Sequence, residues 1–454
     1  MSTRQHLIPA LESLNTAVVA CVGDLMLDRF VYGEAQRISP EAPIPVLSIQ
    51  SQQSMLGGLG NVVRNLGALG SAIRLFSITG EDAAATEIKD LLKHIPDCQS
   101  WLLSESTRKT PVKIRYIAHS QQLLRADHET TDGAGPEVFA QLVKHFQEHV
   151  AECSVVFLSD YAKGVLKGTH ARELIRVARA AGKPVVVDPK GHDFARYQGA
   201  TVIKPNLKEL AEATGMSTAN VDAQESAARV LLEQAGAEFL LVTRGQAGML
   251  LVPRVGQRAE FPALAQEVYD VSGAGDTVAA VLAASLGSGA GITEAVELAN
   301  IAAGIVVGKV GTAVASRAEI VGQIEGESPA AVGGKILPLS DAVERVRSWQ
   351  RSGRRVGFAH DSFSPLTTRH LESLEQARSG CDRIVVALTQ PDREKHARAF
   401  LLASLAAVDA VVICESHSLA QVAEGLAPDL QIPFPSAADG AEEAVLFEAA
   451  SRPR

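Results

Sequence analysis

Short apolar runs alternate with helix-type patterns along the first half of the chain. The strand-type runs, each bounded by Gly, Pro or Asp, are 17–24, 155–160, 184–188, 201–206 and 239–245. Between them, apolar residues recur at helical spacing, for example over 169–182 and 224–236. Strands that alternate with helices predict βαβ units and a parallel sheet, and strands buried on both faces are apolar throughout. The pattern therefore predicts a doubly wound α/β domain over residues 1–320.

Two segments of this first domain depart from the alternating rhythm. Residues 43–58 and 110–127 have the pattern of paired strands that lie outside the main sheet. We expect them to form a small β lid over the α/β domain. Because a doubly wound sheet binds its ligands at the carboxyl ends of its strands, a lid at that edge would enclose a ligand.

A second and smaller α/β domain is predicted for residues 338–454. Residues 321–337 are rich in small residues, show no periodicity and are interpreted as a linker. The strand-type runs that follow are 356–359, 383–388 and 410–414, and the helix-type segments are 339–353, 370–380 and 394–406. Alternation of this kind is typical of a Rossmann-like α/β fold.

Composition excludes several classes of function. The formal net charge of −9 argues against a broad nucleic-acid-binding surface. No apolar run reaches the ~18 residues of a membrane span, and the first 24 residues lack the pattern of a secretory signal. We therefore expect a cytoplasmic protein without nucleic-acid or membrane partners. The cysteines show no CxxC spacing, so reduced thiols are expected at Cys21, Cys98, Cys153, Cys381 and Cys414.

The stretch EVYDVSGAGDTVAAVLAASLGSG, residues 267–289, contains the clearest chemical signal. Gly273, Ala274 and Gly275 lead into a long apolar helix, whose first N–H groups would form an anion hole for phosphate. Asp276 stands where a carboxylate could accept a proton from a substrate hydroxyl. Phosphoryl transfer requires positioning, charge neutralisation and a base, and this loop offers all three. A Gly-rich turn capped by Asp is the alternative interpretation of the stretch taken alone.

Further strand ends carry residues that suit ATP and Mg²⁺, the two expected cofactors. Asn206 and Glu209 lie on the first turn of a helix and could hold waters around Mg²⁺, without a dedicated protein cage for the metal. A helix cap with a capping carboxylate is the alternative for this pair. The remaining ATP-binding candidates follow two other strands and are Lys190, Thr243, Arg244 and Gly245.

A group of polar and glycine residues near the N-terminus suits a polyhydroxylated sugar. Asp24 and Asp28 follow the first strand, and Gly57, Gly58 and Asn61 come at the start of a helix. Carboxylates and an amide accept and donate hydrogen bonds to sugar hydroxyls, and glycine lets the backbone approach closely. Ordinary turn chemistry is the alternative for either motif by itself.

Several motifs match a known family in order and spacing. VGDLMLD (22–28), LGGLGN (56–61), PNLKE (205–209) and DVSGAGDT (270–277) resemble those of the ribokinase-like sugar kinases. The longer motifs RISPEAPIPV (37–46), LSDYAKGVL (158–166) and AAGIVVGKVGTA (302–313) narrow the match. They are similar to the kinase half of the bifunctional heptose 7-phosphate kinase/heptose 1-phosphate adenylyltransferases. The resemblance covers about residues 10–320.

The resemblance implies ATP-dependent phosphorylation of D-glycero-β-D-manno-heptose 7-phosphate at C1. The product is the 1,7-bisphosphate, on the way to ADP-heptose for lipopolysaccharide. Asp276 would be the base, Asn206 and Glu209 would organise Mg²⁺, and the N-terminal group would bind the sugar. A homodimer formed through the β lid is also implied. The basic residue that binds the 7-phosphate stays open among three candidates, which are Arg125, Lys163 and Arg37.

The second domain resembles the cytidylyltransferase-type domain of the same family. The family signature is His or Thr, any residue, Gly, then His at a helix start, and here Thr367, Arg369 and His370 occupy it. Arg369 replaces the glycine and adds bulk where the backbone should approach the nucleotide. Arg398 matches a family arginine, whereas the upstream NGxFD is HDSFS, with Ser364 in place of the Asp. We therefore predict a degenerate second domain.

Three other functions remain alternatives at this stage. The first is a fully bifunctional enzyme that also transfers AMP from ATP to heptose 1-phosphate. The second is a kinase that acts on a different sugar phosphate. The third is a binding or scaffold protein without catalysis, and the intact Gly-Ala-Gly-Asp loop argues against it.

Overall fold

A computed structural model describes most of the chain. The described residues are 4–118, 121–264, 270–309, 312–324, 335–351, 353–364, 366–389, 395–414, 419–433 and 447–448. The chain divides into two compact units, Met1–Gly326 and Glu327–Arg454. Most of the predicted linker, 325–334, lies outside the described residues. Each unit has its own sheet and its own apolar cores.

The elements of the first unit follow the predicted alternation. Its strands are β1 (Val18–Gly23), β2 (Leu25–Ile38), β3 (Pro45–Gly58), β4 (Ala72–Thr79), β5 (Cys98–Ser104), β6 (Val112–Ala118), β7 (Gln121–His128), β8 (Val155–Ser159), β9 (Val185–Asp188), β10 (Val202–Ile203), β11 (Phe239–Thr243), β12 (Met249–Pro253) and β13 (Ala259–Phe261). Its helices are α1 (Ile8–Glu12), α2 (Leu59–Leu69), α3 (Ala83–Leu92), α4 (Pro136–His149), α5 (His170–Ala180), α6 (Leu207–Thr214), α7 (Val221–Ala235), α8 (Ala274–Gly287), α9 (Ile292–Val306) and α10 (Arg317–Ile324).

The main sheet of this unit is doubly wound, as predicted. Among the described residues its strand order is β13-β12-β11-β10-β9-β8-β1-β4-β5. All neighbours from β5 to β11 are parallel, and β12 and β13 add an antiparallel edge. From β1 the sheet grows to β4 on one side and to β8 on the other, so the switch point lies between β1 and β8. Ligands of such sheets bind at the carboxyl ends beside the switch point.

Both faces of the main sheet are buried, which explains its uniformly apolar strands. Val19 and Cys21 of β1 pack into a core with α2, α8 and α9. Ala20 and Val22 pack into a second core with α4, α5 and α7. Burying one such side chain contributes about 1.5–3 kcal/mol, so the strands are held rigidly and position the loops at their ends.

The β lid is a four-stranded sheet with the order β3-β2-β6-β7. The second segment predicted for the lid divides into two strands, β6 and β7. Strand β2 was not predicted, although it is as long as β3 and pairs with both β3 and β6. Its first residues are buried and its last residues are exposed, so its apolar and polar residues do not follow a single strand periodicity. The predicted fold class, with its lid, is confirmed.

The second unit is a smaller α/β fold. Its strands are β14 (Ile336–Leu337), β15 (Val356–Asp361), β16 (Arg383–Leu388), β17 (Ala410–Ile413), β18 (Leu430–Ile432) and β19 (Phe447–Glu448). Its helices are α11 (Leu339–Arg351), α12 (Thr368–Ala377), α13 (Lys395–Ala403) and α14 (Leu419–Leu426). The strand order among the described residues is β14-β17-β16-β15-β18-β19. Across the described chain, no helix has the length and apolar character needed to cross a membrane.

Candidate active site

The predicted anion hole lies where the chain enters α8. Gly273 precedes the helix with φ of +81°, in the left-handed region that favours glycine. A Cβ on Gly273 would also lie 2.7 Å from Asn61 Nδ2, so both backbone conformation and space require glycine. The N–H of Ala274 donates to Val271 O at 3.3 Å. The first turn of α8 carries the partial positive charge of the helix dipole, which favours phosphate oxygens.

The predicted base, Asp276, lies buried in this first turn with both carboxylate oxygens hydrogen-bonded. Asn61 Nδ2 donates to Oδ2 at 2.8 Å, and the Tyr161 hydroxyl donates to Oδ1 at 2.6 Å. Burial raises the pKa of Asp276 above its usual value, and the two hydrogen bonds act in the opposite direction. Each carboxylate oxygen has a second lone pair, so a substrate hydroxyl can still donate to this group.

Asn61 is oriented by its neighbours on α2 and beyond. Arg64 Nη1 donates to Asn61 Oδ1 at 3.3 Å and to the backbone oxygen of Thr312 at 3.2 Å. This contact fixes which end of the amide is the donor, so Nδ2 faces Asp276. One turn further along α2, Asn65 accepts a hydrogen bond from the Thr277 hydroxyl at 2.9 Å. Helices α2 and α8 are therefore locked together beside Asp276.

Asp28 lies on the lid strand β2, next to the glycines that were predicted to bind sugar with it. A Cβ on Gly57 would overlap Asp28 Oδ2, and Gly58 has φ of +55°. Arg115 Nη1, which the sequence analysis missed, pairs with Asp28 Oδ1 at 2.5 Å. Burial of Asp28 is nearly complete, at 7% exposure. The Asp28 carboxylate is therefore paired with Arg115 in the candidate site.

Asp24, predicted to bind the sugar, lies in a network of backbone hydrogen bonds. Its side chain is 1% exposed, and its carboxylate accepts three backbone N–H groups, from Tyr161, Lys163 and Val165, at 2.8–3.0 Å. These bonds cross the switch point and tie the loop after β8 to the end of β1. Burial, with Asp160 nearby, raises the pKa of Asp24 to about 6. The structure thus gives Asp24 a scaffolding role, because its acceptor sites hold a loop.

A buried lysine that the sequence analysis did not select lies beneath the anion hole. The Lys204 ammonium pairs with Asp188 Oδ1 at 2.9 Å, and a Cβ added to Gly275 would be 3.7 Å from Lys204 Nζ. Burial would lower the pKa of Lys204, but Asp188, Glu209 and Asp276 outweigh it and raise that pKa. Burial also raises the pKa of Asp188 to about 6. Because Gly275 has no side chain, a nucleotide phosphate could approach the backbone here and lie close to the Lys204 ammonium.

The pair predicted to organise Mg²⁺ forms a capping box at the start of α6. Asn206 Oδ1 accepts the N–H of Glu209 at 2.9 Å, and Glu209 Oε2 accepts the N–H of Asn206 at 3.0 Å. Lys190 donates to Glu209 Oε1 at 2.8 Å. Among the described residues no group of three or more side chains could hold a metal ion by itself. This donor set fits a Mg²⁺ ion that arrives with phosphates and keeps most of its waters.

Arg244, predicted to bind ATP, makes contacts within the protein. Its side chain is buried, pairs with Glu260 Oε2 at 3.1 Å and donates to the backbone oxygen of Ala247 at 3.0 Å. These contacts join the turn between β11 and β12 to strand β13, so the guanidinium is engaged within the protein in this structure. Thr243 ends β11 and forms a parallel bridge with Asn206, which places it at the same sheet edge. Gly245 has φ of +58° and open space around its Cβ position.

The three residues predicted to compete for the substrate phosphate lie in different places. Arg125 on β7 forms a bidentate pair with Asp127, and Lys163 pairs with Glu129 at 2.7 Å. Arg37 is exposed at the far end of β2, nine residues beyond Asp28 and up to roughly 30 Å along the strand.

The face of the lid that bears Asp28 carries more positive charge than predicted. Lys113 pairs in register with Asp28, and Arg115 pairs in register with Arg125. Partners in register share a face of a sheet, as do residues two apart along a strand. Lys113 Nζ lies 5.4 Å from the centre of the Tyr161 ring. No carboxylate among the described residues lies within ion-pair distance of Lys113, whose pKa is lowered by burial.

In the second unit, the two polar residues of the predicted signature interact with each other. His370 Nδ1 accepts the backbone N–H of Thr367 at 3.0 Å and lies 2.7 Å from its hydroxyl, which closes the cap of α12. His370 Nε2 lies 3.2 Å from Asp361 Oδ2. Arg369 is exposed, and Arg398 is buried on α13.

A doubly wound sheet with a β lid, a glycine-rich helix start and a buried carboxylate beside it defines a kinase of small hydroxyl compounds. The model of the pfkB family of carbohydrate kinases matches residues 16–319. The fold is shared with Arabidopsis thaliana ribokinase complexed with ribose and ATP, at a TM-score of 0.56 and 20% identity over 68% of this chain and 99% of that one. Phosphofructokinase-2 from Escherichia coli also shares the fold, with a TM-score of 0.57 and 20% sequence identity over 68% of this chain and 98% of that one.

Sequence relatives match both units. The chain is 47% identical to the bifunctional protein HldE of Paramagnetospirillum magneticum, over 95% of this chain and 91% of that protein. It is 45% identical to HldE of Rhodospirillum rubrum, over 95% and 90%. The chain therefore belongs to the pfkB family of carbohydrate kinases and, within it, to the group of relatives that carry the name HldE. The predictions of this family and of a sugar kinase that transfers phosphate to an alcohol group are confirmed.

Proposed function

We propose that the first unit transfers the γ-phosphoryl group of ATP to the anomeric hydroxyl of D-glycero-β-D-manno-heptose 7-phosphate. The product would be the 1,7-bisphosphate, an intermediate of ADP-heptose and lipopolysaccharide core synthesis. The observation that carries the proposal is the Asp276 carboxylate, buried at the start of α8 and held from both sides. Its position in the first turn of α8, within electrostatic reach of the lid residue Asp28, suits a base for a sugar hydroxyl.

In the proposed reaction Asp276 accepts the proton of the C1 hydroxyl while the oxygen of that hydroxyl forms a bond to the γ-phosphorus. The bond from that phosphorus to the β–γ bridging oxygen breaks, and ADP leaves. The first turn of α8 and the Lys204 ammonium would neutralise phosphate charge. Asp28, with Gly57 and Gly58 beside it, would hold the sugar hydroxyls. These are the positioning and electrostatic tasks that phosphoryl transfer requires.

Mg²⁺ would be carried to the site by ATP, with Glu209 and Asn206 as the residues beside its water shell. When bound, the ion neutralises charge on the β- and γ-phosphates. Glu209 already pairs with Lys190. The Glu209 carboxylate can therefore exchange the lysine for a hydrated metal ion without being left as an unpaired buried charge. A cytoplasmic location and a homodimer formed through the lid belong to the same proposal.

The reaction is tested by phosphorus NMR with the full-length protein, Mg-ATP and the heptose 7-phosphate. We expect a new anomeric phosphate resonance to rise in step with ADP. A matched reaction with ribose or fructose 6-phosphate shows whether the enzyme prefers the heptose. No ADP with the heptose but turnover of another sugar phosphate would contradict the proposed substrate.

A second activity, adenylyl transfer to heptose 1-phosphate, is favoured by one observation and opposed by another. The HldE relatives, which are named bifunctional, match the second unit as well as the first. Against this, Thr367 and His370 satisfy each other, and Arg369 occupies the glycine position of the signature. We propose a degenerate second unit. Addition of a phosphatase specific for position 7 to the NMR reaction tests this, because ADP-heptose and pyrophosphate would then appear only if the unit is active.

Lys113 is proposed to bind the 7-phosphate, together with Arg115 and Lys163. We expect Lys113→Met to raise the KM for heptose 7-phosphate by about 10–100-fold, because a hydrogen bond to a charged group contributes about 1.5–3 kcal/mol. The KM for ATP should not change. Initial rates over a range of sugar phosphate concentrations measure both constants.

Lys167→Met is the matched control, since Lys167 is exposed on the loop that carries Lys163. It should leave both KM values within twofold. Heptose without the 7-phosphate provides a further comparison, because the Lys113 variant and the unchanged protein should use it equally poorly. A KM for the sugar phosphate that Lys113→Met does not alter would exclude this lysine as the phosphate ligand.

A further inference from the structure

Tyr161 is a partly buried residue next to the candidate base, and its hydroxyl has no role in the proposed reaction so far. The hydroxyl donates to Asp276 Oδ1 at 2.6 Å. Burial and the nearby carboxylates raise the pKa of Tyr161 well above its usual value, so the hydroxyl keeps its proton and stays a donor. A neutral donor at this distance makes a strong, charge-assisted hydrogen bond to a carboxylate.

The backbone of Tyr161 is held as firmly as its hydroxyl. Its N–H donates to Asp24 Oδ2 at 2.9 Å, and Asp160 Oδ1 accepts the N–H of Ala162 at 2.8 Å. Ala162 has φ of +57°, a conformation that costs an alanine of order 1 kcal/mol. Strain of this kind persists only where the surroundings impose it. The buried Asp24 and Asp160 carboxylates therefore impose a particular position on the Tyr161 side chain.

Asp276 is also approached by charged groups from the other elements around it. Lys204 lies at the end of β10, Asp188 at the end of β9 and Asp28 on the lid strand β2. The cation favours the ionised form of Asp276, and the two carboxylates disfavour it. The neutral donors Asn61 and Tyr161 bind the carboxylate directly, so each has a large influence on its orientation and its charge.

We propose that Tyr161 is a positioning residue for the base: its hydroxyl holds Oδ1 of Asp276 so that the carboxylate is fixed and ionised when the sugar hydroxyl arrives. The proposal rests on the proposed function, because it takes Asp276 as the base. Asn61 holds the other oxygen, and together the two donors prevent rotation of the carboxylate. A fixed carboxylate can meet the substrate hydroxyl along one direction, which is how preorganised groups accelerate proton transfer.

The test compares Tyr161→Phe with the unchanged enzyme in the phosphorylation reaction. The substitution keeps the ring against Lys113 and removes the hydroxyl alone. We expect kcat to fall by about tenfold, while the KM values for ATP and sugar phosphate change less than threefold. Loss of the hydrogen bond also raises the pKa of Asp276, so the acid limb of the kcat/KM profile should move up by roughly one pH unit.

Tyr197→Phe is the matched control, because it also removes a buried tyrosine hydroxyl from a carboxylate. The Tyr197 hydroxyl donates to Asp160 Oδ2 at 2.8 Å and not to the base. Arg196 pairs with the same Oδ2 at 2.6 Å, so Asp160 stays held in this variant. We expect this variant to lower the melting temperature and to leave the acid limb in place. If both variants moved the acid limb equally, or if Tyr161→Phe left it unmoved, Tyr161 would have only a structural role and the proposal would be wrong.

Two further results separate failure of this inference from failure of the proposed function. If Asp276→Asn retained full activity, Asp276 would not be the base, and the proposed function and the inference about Tyr161 would both fail. If Asp276→Asn were inactive while Tyr161→Phe kept the kcat and acid limb of the unchanged enzyme, only the inference about Tyr161 would be wrong. Should Tyr161→Phe not fold, 3-fluorotyrosine at position 161 keeps the shape and has a more acidic hydroxyl. The stronger hydrogen bond should then move the acid limb to lower pH, and an unmoved limb would again refute the proposal.

Discussion

Asp276→Asn is expected to lower kcat by about 10³-fold while ATP still binds. The amide is nearly isosteric with the carboxylate but cannot accept the proton of the sugar hydroxyl, and general bases contribute about 10²–10⁴-fold. The Gly273–Gly275 turn and Lys204 are untouched, so nucleotide affinity should stay within a few-fold. Coupled detection of ADP measures the rate, and calorimetric titration with ATP measures the binding.

Asp90→Asn is a suitable control, because Asp90 is an exposed carboxylate on α3 that pairs with Lys93. Its turnover should match that of the unchanged enzyme. Circular dichroism of both variants should show the same helix content. A kcat for Asp276→Asn within threefold of the original would mean that another group removes the proton, and the assignment of the base would have to be abandoned.

Asp24→Ala is expected to reduce the free energy of unfolding of the first unit by about 3–5 kcal/mol. The substitution leaves the N–H groups of Tyr161, Lys163 and Val165 without their acceptor, and each buried unsatisfied donor costs about 1–3 kcal/mol. Removal of a buried carboxylate with a raised pKa returns part of that loss. Activity should fall as well, because the same loop carries Tyr161, whose hydroxyl donates to Asp276.

Tryptophan fluorescence can follow this unfolding in one unit at a time. The chain has two tryptophans, Trp101 in the first unit and Trp349 in the second. In a Trp349→Phe background, urea unfolding followed through Trp101 reports on the first unit. Asp132→Ala, which truncates a side chain that is 89% exposed, should change the unfolding free energy by less than about 0.5 kcal/mol. An equally small change for Asp24→Ala would show that the loop does not depend on Asp24.

The strands of the main sheet could be predicted because burial on both faces leaves a local signature. Every residue of β8 is buried, and its apolar run is visible without any knowledge of its neighbours. The lid strand β2 has no such signature, since it begins in the core and ends in solvent. Its pairing with β6 joins residues 85 positions apart in the chain, such as Leu27 and Val112, which periodicity cannot reveal.

The candidate site shows the same division between local and long-range information. The Gly273–Asp276 turn is a local device, and its left-handed glycine and helix start follow from adjacent residues. Asp24 and Arg244 were predicted as ligand-binding residues because acidic and basic side chains at strand ends suit ligands. In the structure both serve the protein's own backbone, because buried N–H and C=O groups of neighbouring loops need partners.

By itself, the sequence determined the fold class, the glycine-rich turn before α8, the carboxylate beside it and the family to which the chain belongs. These depend on short-range patterns: apolar runs, glycine where the backbone turns, and motifs whose order is visible in one dimension. Only the tertiary structure decided that Tyr161, Asn61 and Lys204 surround Asp276, and that Asp24 holds a loop. Those contacts join residues more than 70 positions apart, and their partners are chosen by sheet order and burial.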